Sequence, residues 1–305
     1  MPLSNVIVVG AGPSGLLLTL LLARAGIKVE LLEMTHDLDT NPRASHYTKE
    51  SCYEFDRAGI LDQVRAEGFS PNGVSWRKLD EAKTRLATFR NPGPDEEQDD
   101  PETYRHRMVC LPLHRLGKIL EAAVEAQPSA KIFYEHKVVG IGQNAYEAWV
   151  EVATPFGKET RTADYIVGCD GANSKIRRAL FGEGVFPGRT LDEQIVATNV
   201  YYDFSPYDYD DSQFFIHKEH WHMVAKIQTD GLYRVTYGEH GGLTPEELRE
   251  RQPGKFAAFL PGNPTPDQYE LVNFSPYRVH QRCAEKLRVE RFLLAADAGH
   301  LCNPL

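Results

Sequence analysis

The sequence predicts a mixed α/β (α+β) fold with two interwoven domains, and three observations support this prediction. The chain opens with an apolar strand, a glycine-rich turn and a helix, which together are typical of a nucleotide-binding unit. Residues 194–238 are rich in Tyr, Phe, Val and Ile, as in an antiparallel sheet. Another apolar strand follows at 291–297. We therefore expect a Rossmann-like domain that is interrupted by a β-sheet domain.

The opening segment carries a dinucleotide-binding motif. Residues 6–15 read Val-Ile-Val-Val-Gly-Ala-Gly-Pro-Ser-Gly, with G-x-G-x-x-G spacing between the strand and the helix. In this motif Gly10 allows the tight turn, Gly12 lets a pyrophosphate approach the backbone, and Gly15 lets the helix pack closely on the strand. The helix N-terminus adds free N–H groups and a partial positive charge. Glu33 ends the second predicted strand, where a ribose hydroxyl needs an acceptor.

The remaining elements follow from hydrophobic periodicity and from the turn residues between them. Helices are predicted at 16–25, 48–58, 60–67 and 113–124, and strands at 28–33, 131–140, 145–154, 162–168 and 271–279. Thr244 followed by Pro-Glu-Glu predicts another helix start, with Thr244 as the N-cap. Residues 91–101 are expected to form a solvated acidic loop. We assign the nucleotide-binding domain to 1–71, 102–185 and 286–305, and the sheet domain to 72–101 and 186–285.

Composition limits the classes of function. A net charge of −9 over 305 residues argues against a nucleic-acid-binding surface. The sequence has no run of about 18 apolar residues, so no membrane span is expected. Segment 16–25 is too short, and lacks the basic flank, for a signal peptide. The five cysteines form no C-x-x-C pair and are expected to be reduced thiols of a cytoplasmic protein. They are Cys52, Cys110, Cys169, Cys283 and Cys302.

Two further strand ends carry an aspartate. Residues 165–178 read Tyr-Ile-Val-Gly-Cys-Asp-Gly-Ala-Asn-Ser-Lys-Ile-Arg-Arg, which places Asp170 where an apolar strand ends. Residues 291–304 repeat this arrangement with Asp297. Open α/β sheets bind ligands at the carboxyl ends of their strands. Either aspartate alone is equally typical of a helix cap or a turn, so the predicted site depends on both motifs together with the glycine-rich loop.

These three ordered motifs resemble those of the FAD-dependent aromatic hydroxylases, the single-component flavin monooxygenases of the para-hydroxybenzoate hydroxylase type. The glycine-rich loop with Glu33 is similar to the family's site for the ADP part of FAD. Asp170 and Gly171 match its D-G motif, which is linked to FAD and NADPH binding, and Asp297 matches the aspartate that holds the flavin ribitol. The resemblance implies the cofactor-binding residues Gly10, Gly12, Pro13, Ser14, Gly15, Glu33, Arg43, Asp170, Gly171, Asp297 and Pro304.

The resemblance also implies the reaction. FAD would be reduced by NADPH or NADH and react with O2, and its C4a-hydroperoxide would hydroxylate an aromatic or polyketide-like small molecule. His46 follows the segment 42–45, near the place of the family's flavin ring. This histidine is the candidate for assisting phenol deprotonation, because imidazole titrates in a useful range. A loop histidine that is bonded to the backbone is an equal alternative.

Candidates for the substrate pocket come from the predicted strands of the sheet domain. They are Phe215, His217, Tyr233 and Arg234. Packing in the sheet core is the alternative for the aromatic residues, and a surface position is the alternative for the arginine. No metal is expected at His217, His220 and His222, because on one strand the first of these side chains would face away from the other two.

Two departures from the family pattern leave alternatives open. Leu113 stands where the family usually has a Gln or Arg that contacts the flavin, and the sequence stops at Leu305, where the family continues with a closing loop and helix. We therefore expect either a fragment of a longer protein or a short, degenerate relative that binds FAD weakly and is inactive alone. An NAD(P)-dependent dehydrogenase is a further alternative, because the first 35 residues are compatible with one. The sequence leaves the oligomeric state open.

Overall fold

The structure, a computed structural model, describes residues 3–39, 44–80 and 83–302. The helices are α1 (Pro13–Arg24), α2 (Lys49–Arg57), α3 (Leu61–Glu67), α4 (Pro101–Arg105), α5 (Leu113–Glu125), α6 (Lys175–Phe181) and α7 (Pro245–Phe259). The strands are β1 (Asn5–Val9), β2 (Lys28–Leu32), β3 (His46–Tyr47), β4 (Gly73–Lys78), β5 (Arg85–Arg90), β6 (Val109–Cys110), β7 (Ala130–Phe133), β8 (Lys137–Gln143), β9 (Ala148–Thr154), β10 (Gly157–Ala163), β11 (Tyr165–Gly168), β12 (Gly188–Tyr201), β13 (Ser212–Ile216), β14 (His222–Lys226), β15 (Leu232–Glu239), β16 (Glu270–Cys283), β17 (Arg288–Val289), β18 (Phe292–Leu294) and β19 (His300–Leu301). Within the described ranges, no helix is both long enough and apolar enough to cross a membrane.

The first layer is a sheet whose described strands run in the order β17-β18-β11-β1-β2-β7. All neighbours in it are parallel except β17 and β18. Side chains of β1 alternate between its two faces, as the pleat requires. Val6 and Val8 pack on the side of α1, α2, α3 and α5, whereas Ile7 and Val9 pack on the side of α6 and the sheet β10-β9-β8. The Rossmann-like part of the predicted fold is thus confirmed.

The second main sheet has the described order β19-β16-β12-β15-β14-β13-β4-β5. It is antiparallel, as predicted for 194–238, except that β13 and β4 run parallel. Helix α7 covers one face, where Val235, Tyr237, Phe256 and Phe259 form a buried cluster. The predicted start of α7 is confirmed, because Thr244 forms a capping box. A small pair of strands, β3 and β6, lies between this sheet and the first one.

Two strand predictions are wrong. Residues 131–140 are not one strand, because the backbone turns at Glu135, where φ is +57°, and sends β7 and β8 into different sheets. Residues 162–168 are also divided between sheets. Strand β10 pairs with β9, and β11 joins the nucleotide-binding sheet. The sequence hides β10 because its exposed residues are mostly polar and show no apolar alternation.

Candidate cofactor and substrate site

The three loop glycines differ in their surroundings. Gly10 has φ of +103°, and a Cβ there would lie 2.5 Å from the carbonyl oxygen of Cys169, so the turn requires glycine. A Cβ on Gly15 would overlap the carbonyl oxygen of Gly10. Gly12, by contrast, has no atom of the described residues within 4 Å of its ideal Cβ position. The predicted roles of Gly10 in the turn and of Gly15 in close packing are confirmed, and Gly12 faces the open space that a pyrophosphate needs.

Helix α1 begins at this open space. Gly12 is its N-cap without any side-chain hydrogen bond, and Pro13 occupies the first turn. No acidic residue occupies the first turn, and Ser14 is exposed. The backbone N–H groups at this helix end therefore combine a partial positive charge with free space, which is the physical requirement for binding a phosphate.

Glu33 already makes contacts that hold the glycine-rich loop. Its Oε2 accepts a hydrogen bond from the Ala11 N–H at 2.8 Å, and its Oε1 accepts from the Thr35 N–H and hydroxyl, both at 2.9 Å. A carboxylate has about four acceptor positions, so these bonds leave room on Oε2 for a ribose hydroxyl. The half-buried Glu33 thus fits both an ADP ribose and the loop that holds it.

Asp170 caps helix α6. Its Oδ1 accepts from the Ser174 hydroxyl at 2.6 Å, and its Oδ2 accepts from the N–H groups of Lys175 at 2.7 Å and Ile176 at 3.1 Å. The helix-cap alternative therefore describes this carboxylate in the structure. Gly171 follows with φ of +74° and open space at its Cβ position. Asp170 shapes the loop beside Gly10, and Gly171 leaves the backbone of that loop accessible.

The third motif lies beside the second one because β18 pairs with β11. Asp297 is exposed on a short 3-10 turn at Ala296–Ala298. Ala296, which precedes it, has φ of +51°, a left-handed conformation that favours glycine. The carboxylate is therefore presented at the same sheet edge as Asp170, where a bound ligand would reach it.

One buried side chain, which was not predicted from the sequence, joins these two loops. The buried Arg177 donates from Nη1 to the Ala298 carbonyl at 3.1 Å and from Nη2 to the Ala172 carbonyl at 2.8 Å. Its guanidinium also lies 3.7 Å from the ring centroid of Phe186. Arginine at this place in α6 could be read from the motif, but its partners could not, because they depend on how β11 and β18 pair.

His46 lies between the two main sheets. Its Nδ1 is 3.1 Å from the Ser45 hydroxyl and 3.9 Å from the Cys110 sulfur, and its Nε2 is 3.4 Å from the Ser212 hydroxyl. Burial, with a smaller contribution from the Arg234 charge, lowers the pKa of His46 to about 4. The imidazole is therefore neutral near pH 7 and acts as a hydrogen-bond acceptor or donor rather than as a cation. These partners are side chains, so they do not support the alternative that His46 is a loop histidine bonded to the backbone.

Arg234 joins His46 in this site. It projects from the face of the large sheet opposite α7, and its Nε donates to the Asn199 Oδ1 at 3.1 Å. It is half-buried, which does not favour the surface alternative. Burial lowers the pKa of its guanidinium, while the nearby Cys110, Tyr277 and Tyr47 raise it. The structure thus brings together one neutral imidazole and one cation.

The two aromatic pocket candidates, Phe215 and Tyr233, do not lie beside Arg234. They pack in the core of the sheet, which was the alternative prediction for them. Phe215 stacks on His222 at 4.5 Å between centroids, and His222 stacks on Phe259 of α7 at 4.2 Å. Tyr233 also packs on the α7 side of the sheet, 4.7 Å from Phe204. We therefore correct these two predictions, because strand alternation places both side chains on the face opposite Arg234.

The three histidines do not lie on one strand, contrary to the prediction. His217 follows β13 in a turn, and its Nδ1 accepts hydrogen bonds from the N–H groups of Glu219 and His220. His222 lies on the next strand and is buried in the aromatic core. The three residues therefore do not share one strand. In the described part of the chain, no group of three His, Cys, Asp or Glu residues is arranged to hold a metal ion.

Other residues at this site escaped sequence reasoning. Cys110 pairs with His46 across β3 and β6, and Ser212 begins β13. The hydroxyl of the buried Tyr47 has no hydrogen-bond partner among the described residues. Their side chains gave no sequence pattern, because they come from three separate segments of the chain. The predicted residues Arg43 and Pro304 lie outside the described residues.

The predictions for the cysteine thiols and for the helix that begins at Leu113 agree with the structure. All five cysteines, which lie within the described ranges, are free thiols, and Cys52, Cys110 and Cys169 are buried. Leu113 starts α5 and packs against the core of the nucleotide-binding sheet. An aliphatic residue there contributes packing in place of the polar flavin contact that is usual in the resembling family.

The chain is similar to known proteins that bind FAD and to known monooxygenases. Residues 4–305 match a family described as FAD binding domain. The chain is 36% identical to a para-nitrophenol 4-monooxygenase of Pseudomonas sp. (strain WBC-3), over 99% of this chain and 73% of that protein. It is 32% identical to the 6-hydroxy-3-succinoylpyridine 3-monooxygenase HspB of Pseudomonas putida (strain DSM 28022 / S16), over 98% and 74%.

Solved structures show the same fold. The crystal structure of p-nitrophenol 4-monooxygenase PnpA from Pseudomonas putida DLL-E4 superposes with a TM-score of 0.89 at 35% identity, covering 99% of this chain and 74% of that one. The flavin-dependent monooxygenase PieE, solved with FAD and substrate, has a TM-score of 0.81 at 21% identity, covering 99% and 54%. The second likeness concerns the fold alone.

The chain thus belongs to the FAD-binding domain family of flavoproteins, as the three motifs predicted. It is a flavin-dependent monooxygenase, which confirms the predicted class of enzyme and its FAD cofactor. The dehydrogenase and the degenerate, inactive relative are not favoured by these comparisons. The residues around Gly12 and Glu33 fit FAD, because they leave phosphate-sized space at a helix N-terminus beside a free carboxylate position.

Proposed function

We propose that this monooxygenase uses NADPH or NADH and O2 to hydroxylate a small phenol-type ring that binds between His46 and Arg234. The observation that carries this proposal is the meeting of a neutral imidazole and a half-buried guanidinium between the two main sheets. The named substrates of the two relatives, a nitrophenol and a hydroxypyridine, are rings of this kind. A larger polyketide-like ring remains the alternative substrate from the family resemblance.

The protein's own groups have separate tasks in this proposal. When bound, FAD supplies the redox chemistry that accepts hydride from NAD(P)H and activates O2. Gly12 and the N-terminus of α1 bind its diphosphate, Glu33 its ribose and Asp297 its ribitol. The Asp170 loop supports this sheet edge through its cap on α6. The cytoplasm, which supplies NAD(P)H and keeps thiols reduced, is the proposed location.

The polar pair then acts on the substrate ring. Arg234 stabilises the phenolate form, which is the electron-rich form that attacks electrophilic oxygen. His46 accepts a hydrogen bond from the ring hydroxyl before ionisation, with Ser45 or Ser212 on its other nitrogen. Because its pKa is about 4, His46 does not keep the proton near pH 7, and the cation at Arg234 supplies most of the stabilisation.

Absorption spectra and turnover test this function. We expect the purified chain to take up FAD with an oxidised-flavin band and to oxidise NAD(P)H faster when 4-nitrophenol is present. Arg234→Met should raise KM for the phenol by about tenfold to a hundredfold, because a charged hydrogen bond is lost. Arg189→Met, which removes an exposed arginine from β12, should leave KM unchanged. FAD uptake without any response to phenols would contradict the proposed substrate class.

A further inference from the structure

The face of the large sheet that carries Arg234 also carries a group of large apolar side chains. Phe215 packs into the α7 core, so strand alternation places its neighbour Phe214 on the opposite face, next to Met223. Trp76 stacks on Phe214, with ring centroids 5.8 Å apart and ring planes inclined by 11°. The three side chains on the Arg234 face are half-buried. This side of the sheet therefore offers aromatic surface to a bound ring.

An indole ring covers Gly238 on the same face. A Cβ on Gly238 would overlap the Trp221 ring at its Nε1 and Cε2 atoms. Tyr237, the preceding residue on β15, packs into the α7 core, so a Cβ on Gly238 would point to the Arg234 face. The Trp221 ring therefore packs directly on the backbone of β15 on that face. The side chain is half-buried, so part of the indole surface stays accessible.

Short side chains form a floor between Trp221 and the polar groups of the candidate substrate site. Arg234 and Gly238 are four residues apart on β15, which corresponds to about 13 Å along a strand. Thr236 lies midway between them, and its direct neighbour on β12 is Ala197. This floor accommodates one phenol ring with a para substituent, whereas a further ring in line with the first would meet the indole.

The other end of this floor is polar. Ser212 pairs with Ala225, and Ala225 pairs with Arg234, so these residues form one line across β13, β14 and β15. The Ser212 hydroxyl lies 3.4 Å from the Nε2 of His46. A substrate whose hydroxyl binds at this polar end can therefore extend its ring along the floor toward Trp221.

We propose that Trp221 is a specificity-determining residue, because its indole closes the floor opposite the polar end and so limits the substrate to a single ring. This inference rests on the proposed function and deepens it, because it names the substrate class as single-ring phenols rather than polyketide-like ring systems. Discrimination of this kind comes from a steric clash with the longer competitor. A ring of the correct length instead contacts the indole and gains buried apolar surface.

Two phenols of different length test this role. Compared with 4-nitrophenol, 6-nitro-2-naphthol has a fused ring that lengthens the molecule between its hydroxyl and nitro groups. The dissociation constants of both compounds are measured with the FAD-loaded chain through the flavin spectrum. We expect the wild type to bind 4-nitrophenol more tightly by about tenfold or more, since the longer compound meets the indole. Trp221→Ala should lower this preference by about tenfold or more, because the space of the indole becomes free.

Trp149→Ala is the matched control. Trp149 is also half-buried and covers a glycine in the same way, because a Cβ on Gly142 would overlap its ring. This pair lies in the small sheet β10-β9-β8, away from the large sheet. The variant therefore loses an indole of the same kind but should keep the wild-type preference for 4-nitrophenol.

The role of Trp221 is overturned if Trp221→Ala keeps that preference, if Trp149→Ala loses it equally, or if the wild type binds both phenols equally well. If Trp221→Ala does not fold, Trp221→Leu takes its place, because leucine keeps apolar packing on Gly238 but is shorter than the indole. An unchanged preference in Trp221→Leu then overturns the role. A wild-type chain that binds neither phenol instead removes the proposed function itself.

Discussion

Glycines in one short loop serve different physical needs. At Gly10 and Gly15 any side chain would collide with backbone carbonyl oxygens, which cannot move without disrupting the turn. At Gly12 the φ of −66° suits any residue, and no atom of the described residues lies within 4 Å of the ideal Cβ position. We therefore propose that glycine at position 12 serves the ligand, whereas the other two serve the fold.

This difference predicts opposite outcomes for two alanine substitutions. Gly15→Ala should lower the free energy of unfolding by at least about 2 kcal/mol, because its Cβ overlaps the Gly10 carbonyl. Gly12→Ala should change it by about 1 kcal/mol or less, yet weaken FAD binding by at least about tenfold, because its Cβ enters the phosphate space. Denaturant unfolding without FAD and flavin titration measure the two effects. Equal loss of stability in both variants would contradict this assignment.

Pairing of two short parallel strands, β11 and β18, builds the far side of the candidate cofactor site. Strands β11 and β18 end at the same sheet edge, and each is followed by a loop that carries an aspartate. Helix α6 begins in the first loop and sends Arg177 across to the second. The geometry of both loops therefore depends on one buried guanidinium between two carbonyl groups.

Removing this arginine should affect cofactor binding more than removing its neighbour. We expect Arg177→Met to weaken FAD binding by about tenfold to a hundredfold, because the loops lose their connection. Arg178→Met provides the control, since Arg178 is partly exposed and, among the described residues, bonds only within its own segment, to Ser174, Asn173 and Glu183. Its loss should cost about 1 kcal/mol of stability or less and leave FAD binding intact. Similar FAD affinities in the two variants would argue against the connecting role.

At the scale of the whole molecule, the large sheet separates two environments. Its α7 face is an aromatic core that holds His222, and its other face carries Arg234 toward the site. Burial lowers the pKa of His222 to about 3. The unfolded chain binds a proton at this histidine near its ordinary pKa, which is higher than in the folded chain. His222 therefore contributes stability at neutral pH that is lost as the pH falls from about 6.5 toward about 3.

A variant without a histidine between Phe215 and Phe259 should lose less stability at acidic pH than the wild type. Replacing His222 with phenylalanine keeps an aromatic ring between Phe215 and Phe259 and removes the titration. Between about pH 7.5 and pH 5 we expect His222→Phe to lose about 2 kcal/mol less stability than the wild type. His240→Gln, which changes an exposed histidine, should behave like the wild type. Parallel pH dependences of unfolding for wild type and His222→Phe would show that this histidine is not responsible.

The local sequence pattern determined those structural features that depend on residues close together in the chain. The glycine spacing, the strand before it, the acid at Glu33 and the Thr244 cap are short-range features, because turns and helix ends need particular residues at fixed offsets. They predicted the fold class and a dinucleotide-binding site, whereas FAD and the class of enzyme were implied by the family resemblance of the three motifs together. Polar edge strands such as β10 were missed, because their side chains carry no periodic apolar signal.

Only the tertiary structure decided which side chains share a site. Alternation along β15 shows that Tyr233 and Arg234 face opposite ways, but not which face α7 covers. That choice depends on packing of distant segments, and it sends Phe215 and Tyr233 into the core while Arg234 meets His46. Likewise, the pairing of β12 and β16 alone brings Asn273 to Asn199. By itself the sequence therefore determined the cofactor-binding loop and the enzyme class, and long-range pairing determined the candidate substrate site.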